Sequence, residues 1–222
     1  MAPRPSSTPA VRRFLHHVGG ASLVEFTLVF PVFIAVALGT VDMVLMIFEM
    51  GSAAKATQLG ARTAIVTTPV ASNVSAPYSA AALDTKLGQD CFSAATGSLE
   101  TANCLQVNSV CSTSTSDAAT CPGFDSTGAA FQRILTSMQR AFPRITATNV
   151  RVTYTSTGLG FVGRPGGTPL IVSVELKCMT HQLAFMGGIM GWFFPAGCEG
   201  APAGMPISPF RATLVSEAME SQ

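Results

Sequence analysis

The sequence predicts an α+β protein in which one long amino-terminal helix, partly membrane-spanning, leads into a small antiparallel sheet. Residues 21–48 are almost entirely apolar, and a helical pattern continues from there to about residue 67. Further along, two segments near residues 150 and 170 alternate between apolar and polar side chains, as strands do. We therefore expect three regions: a basic leader at 1–20, a helix at 21–67 and an outer α+β domain at 68–222.

The composition is that of a membrane-associated protein rather than a soluble domain. Of the 222 residues, 48% are hydrophobic and 11% are charged, against roughly 25% charged in a typical soluble domain. The formal net charge of +1 argues against a nucleic-acid partner, because proteins that bind nucleic acids concentrate positive charge. The apolar fraction also argues against a disordered chain.

The excess of apolar residues lies near the amino terminus. Residues 1–20 carry three arginines and no acid, and residues 21–48 contain Glu25 and Asp42 as their only charged residues. Phe26–Phe48 supplies 23 residues, and about 20 predominantly apolar residues span a bilayer. We therefore expect a transmembrane segment at about 21–48.

A cleaved secretory signal is the alternative interpretation of this segment. Ala35-Val36-Ala37 fits the small-x-small pattern of such cleavage sites. The apolar run continues through Phe48, however, and cleavage would leave an apolar stub at the new terminus. The retained helix is therefore favoured.

The amino terminus is predicted to be cytoplasmic and the outer domain periplasmic. Basic residues mark the cytoplasmic side of a span; three arginines precede the helix, while Lys55 and Arg62 follow it. An even number of cysteines, all beyond the span, fits disulfides in an oxidising compartment. The disulfide candidates are Cys91, Cys104, Cys111, Cys121, Cys178 and Cys198.

Two residues interrupt the apolar pattern of the span. Pro31 removes one backbone hydrogen bond and is expected to kink or loosen the preceding turn. Asp42 is expected at the outer membrane interface rather than in a proton relay, although an intramembrane acid is often functional.

The residues around Glu25 form a recognisable pattern. Gly20 is followed by the letters ASLVEF, Pro31 comes soon after, and the small-residue-rich helix ends in Ala61-Arg62. Over about residues 12–67 this pattern resembles the TadE-like family of the Tad (tight adherence, Flp) pilus system. A weaker similarity to the same family is found in the carboxy-terminal sequence PFRATLVSEAME. Thr27 departs from the family pattern, where alanine is more usual.

The resemblance implies a minor pseudopilin of a type IV pilus, held in the bacterial inner membrane. A prepilin peptidase would cut after Gly20, freeing the amine of Ala21 and leaving Glu25 at the fifth mature position. The amine and the carboxylate of a neighbouring subunit would then neutralise each other where isolated charges are costly. The implied partners are the prepilin peptidase, other pilins or pseudopilins of the same pilus, and the pilus assembly platform. Tip, initiator and regulator roles all stay open.

Two other functions fit the residues alone. A permanently anchored envelope protein, with an outer domain that binds a partner or ligand, needs no processing. A membrane-tethered, thiol-dependent enzyme needs a free reactive cysteine. The favoured prediction is a structural protein that is not an enzyme.

No cofactor and no metal site are expected. His16 and His17 lie in the leader, His181 stands alone, and the cysteines form no C-x-x-C motif. Gly158–Gly163 spells G-x-G-x-x-G, but Arg164-Pro165 follows where a dinucleotide site needs a helix. We interpret these glycines as part of a hairpin loop.

The helical pattern beyond Phe48 carries a line of small residues, Ser52, Ala56 and Gly60. Such a line permits close helix approach, unless it reflects only the alanine-rich composition. The helix is expected to support a globular domain or to pack in a helical bundle.

The outer domain is expected to combine helices and strands with crosslinks. Predicted helices lie at about 78–87 and 126–142, and a loop at 112–120. Predicted strands lie at 150–155, 170–177 and 210–215, with 158–169 as the loop of a hairpin. Six cysteines allow fifteen pairings, and proximity favours Cys178 with Cys198 and the other four among themselves.

A second apolar cluster, Ala184–Phe194, contains the only tryptophan. Eleven residues are too few to span a bilayer. Two alternatives stay open: burial against the sheet, or an exposed patch for a partner or a membrane surface.

Overall fold

The computed structural model describes residues 19–74, 87–91, 104, 107–113, 120–164, 168–185, 187, 205–207 and 209–216. The principal helices and strands in these ranges are α1 (Gly19–Val66), β1 (Asn108–Ser112), α2 (Ala129–Ala141), β2 (Val150–Ser156), β3 (Leu170–Leu176), β4 (Thr180–His181), β5 (Met205–Pro206) and β6 (Phe210–Ser216). The predicted α+β class is confirmed.

Helix α1 runs for 48 residues, which corresponds to about 70 Å at 1.5 Å per residue. Pro31 lies inside the helix, which continues on both sides of it. The amino-terminal half of α1 is largely exposed, whereas its carboxy-terminal part packs against α2, β3 and β6. The predicted long helix is thus confirmed, and its second part supports a globular domain.

Four strands form one antiparallel sheet in the order β1-β2-β3-β6. The β2–β3 register pairs Val152 with Val174 and Val150 with Leu176, and all four side chains are buried. The alternation that predicts β2 and β3 therefore marks a true inner face, and the third strand predicted at 210–215 is present as β6. Each of these strands ends within one residue of its predicted boundary.

Strand β1 is a correction to the sequence interpretation, which predicts weak structure before residue 112 and a loop from Ser112 onward. Ser112 is instead the last residue of β1, opposite Arg151. The core-facing residues of β1 are Ser109 and Cys111, which lack the branched side chains that signal a strand. Ser109 is accommodated because it exchanges hydrogen bonds with the Asn73 side chain at 2.7 and 3.0 Å. The short β4–β5 pair is likewise not predicted.

Helix α2 packs against α1 through an amphipathic surface. Its buried residues are Phe131, Ile134, Leu135 and Met138. The helix begins at Ala129, three residues later than predicted, because Asp125 holds the preceding residues in a turn: its Oδ1 accepts hydrogen bonds from the backbone and hydroxyl of Thr127. These two bonds, the hydroxyl one foremost, lower the pKa of Asp125.

Tyr154 on β2 connects the sheet to the chain that leaves α1. Its side chain is fully buried, and its hydroxyl oxygen accepts a hydrogen bond from the Val70 backbone N–H at 3.2 Å. Burial raises the pKa of Tyr154 to about 12. The phenol therefore holds the end of α1 against the sheet in its neutral form.

The G-x-G-x-x-G glycines lie in the connection between β2 and β3. Gly158, Gly160 and Gly163 all have positive φ, at 74°, 104° and 85°, a conformation that favours glycine. A Cβ at Gly163 would also lie 2.5 Å from Leu87 Cδ2. These requirements are those of a turn, in agreement with the hairpin interpretation.

Several predicted features fall outside the described residues: the leader before residue 19, most of the predicted helix at 78–87, and residues 114–119 of the predicted loop.

Candidate assembly helix

The amino-terminal half of α1 exposes apolar side chains on all sides. Leu23, Phe26, Leu28 and Phe33 are each more than 60% exposed. The helix is long and apolar enough to cross a membrane, and 6% of its most apolar 18-residue window is buried. A core helix of a soluble protein would bury most of such a window. This half of α1 fits a membrane anchor.

The residues predicted for processing and assembly lie at the start of this helix. Gly20 and Ala21 lie in its first turn, and Glu25 follows with its side chain exposed. Because Glu25 is four positions after Ala21, the two lie about one helical turn apart on the same side of the helix. Cleavage after Gly20 and subunit pairing through Glu25 stay predictions.

At the other end of the exposed half of α1, Glu49 contacts both Arg144 and His181. We call these three residues the Glu49 collar. Arg144 Nη1 lies 2.7 Å from Glu49 Oε1, and His181 Nδ1 lies 2.8 Å from Glu49 Oε2. Arg144 Nη2 also donates to the Thr180 carbonyl oxygen at 3.3 Å. One carboxylate therefore fastens α1 both to the chain just after α2 and to β4.

The sequence predicts that His181 stands alone. In the structure His181 is instead paired with Glu49, which lies 132 positions earlier in the chain. No spacing rule connects residues so far apart, and only the packing of β4 against α1 brings them together. Within the described residues, no group of three His, Cys, Asp or Glu side chains is placed to hold a metal ion.

Asp42, which the sequence predicts at the outer membrane interface, is buried within the protein. Its side chain is 1% exposed. Asp42 Oδ1 accepts a hydrogen bond from the Ala184 N–H at 3.0 Å, and Oδ2 accepts one from the Phe185 N–H at 3.1 Å. The first residues of the apolar cluster 184–194 therefore lie against α1, and Phe185 itself is 54% exposed. Residues 186 and 188–194 lie outside the described ranges.

Small residues on the carboxy-terminal part of α1 bring the helix close to its own domain. Ala53, Ala56, Ala61 and Ala64 are fully buried. A Cβ at Gly60 would lie 2.7 Å from Met138 Sδ on α2, so Met138 occupies the space that a side chain would fill. Two members of the predicted small-residue line, Ala56 and Gly60, thus serve intramolecular docking.

Two disulfides with both cysteines in the described ranges crosslink the outer domain, one before β1 and one that begins within it. Cys91 is joined to Cys104, and Cys111 to Cys121. Cys178 is also disulfide-bonded, whereas Cys198 lies outside the described ranges, so its pairing stays a prediction. None of the described cysteines is a free thiol.

Comparison with known proteins identifies the helix rather than the outer domain. Residues 20–62 match the family of TadE-like proteins, so the resemblance to that family is confirmed over the amino-terminal helix. Neither a curated protein nor a solved structure matches the chain.

Proposed function

Because the amino-terminal helix matches the TadE-like family, we propose that this chain is a minor pseudopilin of a Tad (Flp-type) pilus. It is anchored by α1 in the bacterial inner membrane, with its outer domain in the periplasm, and contributes to pilus assembly, initiation or the tip. A prepilin peptidase processes it after Gly20, and its partners are other pilins or pseudopilins and the assembly platform.

The observation that carries this proposal is the division of α1 into two parts with opposite surfaces. From Leu23 to Phe48 the helix exposes apolar side chains, whereas from Ala53 onward it is docked in the outer domain. The exposed part can be covered by lipid before assembly and by neighbouring helices afterwards, while the domain remains folded. A polymerising, membrane-extracted subunit needs this separation.

Glu25 supplies the polar contact for assembly. After cleavage, Ala21 carries a cationic amine one turn from the Glu25 carboxylate, on an otherwise apolar helix surface. Both charges are costly in a low-dielectric environment unless they are paired. Pairing of the amine with Glu25 of the next subunit would therefore favour one register between adjacent helices.

The role is structural rather than enzymatic. The described cysteines are disulfide-bonded, which supports a structural role over the alternative enzyme, because that enzyme requires a reactive thiol. We expect the full chain to resist thiol labelling completely in the absence of reductant, and this result would support the assignment. Labelling of a cysteine in the native protein would favour the thiol enzyme instead.

Cleavage is tested by the mass of the chain from cells with and without the prepilin peptidase. We expect loss of residues 1–20 only when the peptidase is present. A chain of unchanged mass in both cells would favour the permanently anchored envelope protein.

Pairing is tested by comparing Glu25→Ala with the matched control Thr27→Ala. Thr27 is also exposed, but its hydroxyl bonds within its own helix to the Leu23 carbonyl at 2.7 Å. Both variants should insert in the membrane, whereas only Glu25→Ala should fail to assemble. Normal piliation with Glu25→Ala would contradict the pairing role.

A further inference from the structure

We propose that the open edge of β6 is a docking site for an extended, acidic segment of another protein, which adds to the sheet as a further strand. A groove of about 460 Å³ runs along this edge. The residues that line this β6 groove are Ala54, Thr57, Gln58 and Arg62 of α1 and Phe210–Leu214 of β6. The inference goes beyond the proposed function, because it concerns the outer domain and requires neither cleavage after Gly20 nor pairing through Glu25.

Strand β6 presents a free edge to the groove. In the sheet order β1-β2-β3-β6 it has β3 on one side, and no strand of the described ranges pairs with its other side. Five consecutive residues, Phe210–Leu214, line the groove. One face of a strand would present only alternate residues, so the backbone edge itself borders the groove. Such an edge binds an extended segment through main-chain hydrogen bonds.

The two walls of the groove have matching lengths. Ala54 and Arg62 on α1 are eight residues apart, which is about 12 Å along a helix. Phe210 and Leu214 on β6 are four residues apart, which is about 13 Å along a strand. An extended segment of about four or five residues therefore fills the length of the groove.

The core of the outer domain is incomplete along this edge. Val172 and Val174 on β3 are fully buried, whereas their neighbours on β6, Leu214 and Ala212, are half-buried at the margin of the main core. A strand added beside β6 would place every second side chain on this inner face. Apolar side chains at those positions would extend the core over Ala212 and Leu214.

Two arginines give the groove a preference for an acidic segment. Arg62 lines it from α1 and Arg211 from β6, and the lining contains no acid. Neither arginine has an ion pair with a residue that the structure describes. Glu175, opposite Arg211 on β3, is paired with Arg151 at 3.6 Å, and Arg211 Nη2 donates to the Ser173 hydroxyl at 3.0 Å. A carboxylate on the added strand would supply the missing counter-charge.

The same charges argue against a second copy of this chain as the occupant. Pairing two copies through β6 would bring both sets of Arg62 and Arg211 into one seam, and like charges that face each other across paired strands are destabilising. Charged side chains also protect an edge from indiscriminate pairing. The β6 groove therefore selects an acidic strand rather than any strand.

The probe is a fluorescent heptapeptide, Ser-Val-Glu-Val-Thr-Val-Ser, which alternates polar and apolar side chains and carries one acid. It is titrated into the full chain in nonionic micelles, with empty micelles as the control for binding to detergent. We expect saturable binding. Amide hydrogen exchange should show new protection in Phe210–Leu214 and none in β1, the strand at the opposite end of the sheet. The same peptide methylated on all its backbone nitrogens should not bind, because it has lost its main-chain donors.

Substitutions of exposed arginines test the charge preference. Arg62→Gln and Arg211→Gln should each weaken binding by roughly two- to fivefold, as expected for exposed ion pairs. Arg133→Gln, on α2 and outside the groove, is the matched control and should leave binding unchanged. All three side chains are exposed, so the variants are expected to fold. A peptide with glutamine in place of glutamate should bind the wild type more weakly than the acidic peptide does.

The remaining outcomes would contradict the proposal. No new protection of 210–214 with peptide in large excess would overturn the docking site, and equal binding of the glutamate and glutamine peptides would overturn its preference for an acid. Protection of 210–214 that rises with the concentration of the chain alone would identify a second copy as the occupant. A chain that binds the acidic peptide but is never cleaved after Gly20 would uphold this inference while the proposed function fails.

Discussion

His181 Nδ1 lies 2.8 Å from Glu49 Oε2, and this contact joins β4 to the point where α1 leaves its exposed apolar half. The His181 side chain is 4% exposed and that of Glu49 is 20% exposed, whereas Arg144 on the other oxygen is 45% exposed. The buried partner therefore depends on Glu49 more than the exposed one does, because water can replace Glu49 only at Arg144.

The first prediction concerns the two partners of Glu49. Glu49→Ala leaves His181 Nδ1 buried without its acceptor and should destabilise the outer domain by roughly 1–3 kcal/mol. Arg144→Ala removes the exposed ion pair and the hydrogen bond to the Thr180 carbonyl oxygen, and should cost about 1 kcal/mol or less because water can replace both partners. Thermal unfolding of the full chain in micelles, followed by circular dichroism, measures both. Equal losses for the two variants would show that the buried contact is not the stronger one.

A second prediction uses two glycines of α1 as a matched pair. Alanine is favoured over glycine in a helix by about 1 kcal/mol. At Gly51 an added Cβ meets nothing within 4 Å, whereas at Gly60 it would lie 2.7 Å from Met138 Sδ and 3.2 Å from Val174 Cγ1. Met138 is buried and cannot move into solvent, so overpacking should cost roughly 1–3 kcal/mol.

Gly51→Ala should therefore stabilise the protein, and Gly60→Ala should not. The same unfolding measurement compares them. If Gly60→Ala were stabilised as much as Gly51→Ala, the close packing of α1 on α2 would not be a constraint on residue 60.

The sequence predicts well those helices and strands in which apolar residues recur at the spacing that places them on one buried face. Helix α2 buries Phe131, Ile134, Leu135 and Met138 at three- and four-residue steps, and β3 alternates along Leu170–Leu176. Such patterns lie within one continuous stretch of sequence, so they can be read without knowing how the helices and strands pack together. The family resemblance is equally local, since it depends on the run from Gly20 to Arg62.

The contacts that the sequence does not predict are long-range. Asp42 meets Ala184 across 142 positions, and Glu49 meets His181 across 132. An isolated acid in an apolar run indicates that some partner is needed, but it does not identify the partner. Strand β1 is missed for a different reason, because Ser109 and Cys111 occupy its inner face in place of branched apolar residues.

The third prediction follows from the small apolar area that β1 buries on its inner face. Cys111 is buried on this strand and is bonded to Cys121, ten positions away. Replacing both by alanine should destabilise the domain by roughly 2–4 kcal/mol. Since β1 has little else to bury, amide hydrogen exchange should show early loss of protection in Asn108–Ser112.

The other described bridge is the control for this experiment. Cys91 and Cys104 form a small separate cluster with Val162, apart from the main core. Replacing these two by alanine should loosen residues 87–91 while β1 keeps its protection. Loss of β1 protection in both variants would mean that the two bridges act on one cooperative unit.

The fourth prediction is an alkaline loss of stability that originates at Tyr154. Burial raises its pKa from 10.0 to about 12 in the folded protein. Between these values the unfolded chain has lost the phenolic proton and the folded protein has kept it. Stability must therefore fall as the pH rises through this range, by roughly 1 kcal/mol per pH unit. Below pH 10 the contribution is constant.

Tyr78 and Tyr154 are the two tyrosines of the chain, so Tyr78→Phe isolates the titration of interest. Tyrosinate absorbance in this variant should rise near pH 12, or abruptly at a lower pH if the domain unfolds first. Tyr154→Phe should lose stability at neutral pH, because the Val70 N–H loses its acceptor, and its stability should decline less between pH 10 and 12. A reversible midpoint near pH 10 in the folded protein would show that the Tyr154 phenol is accessible to water.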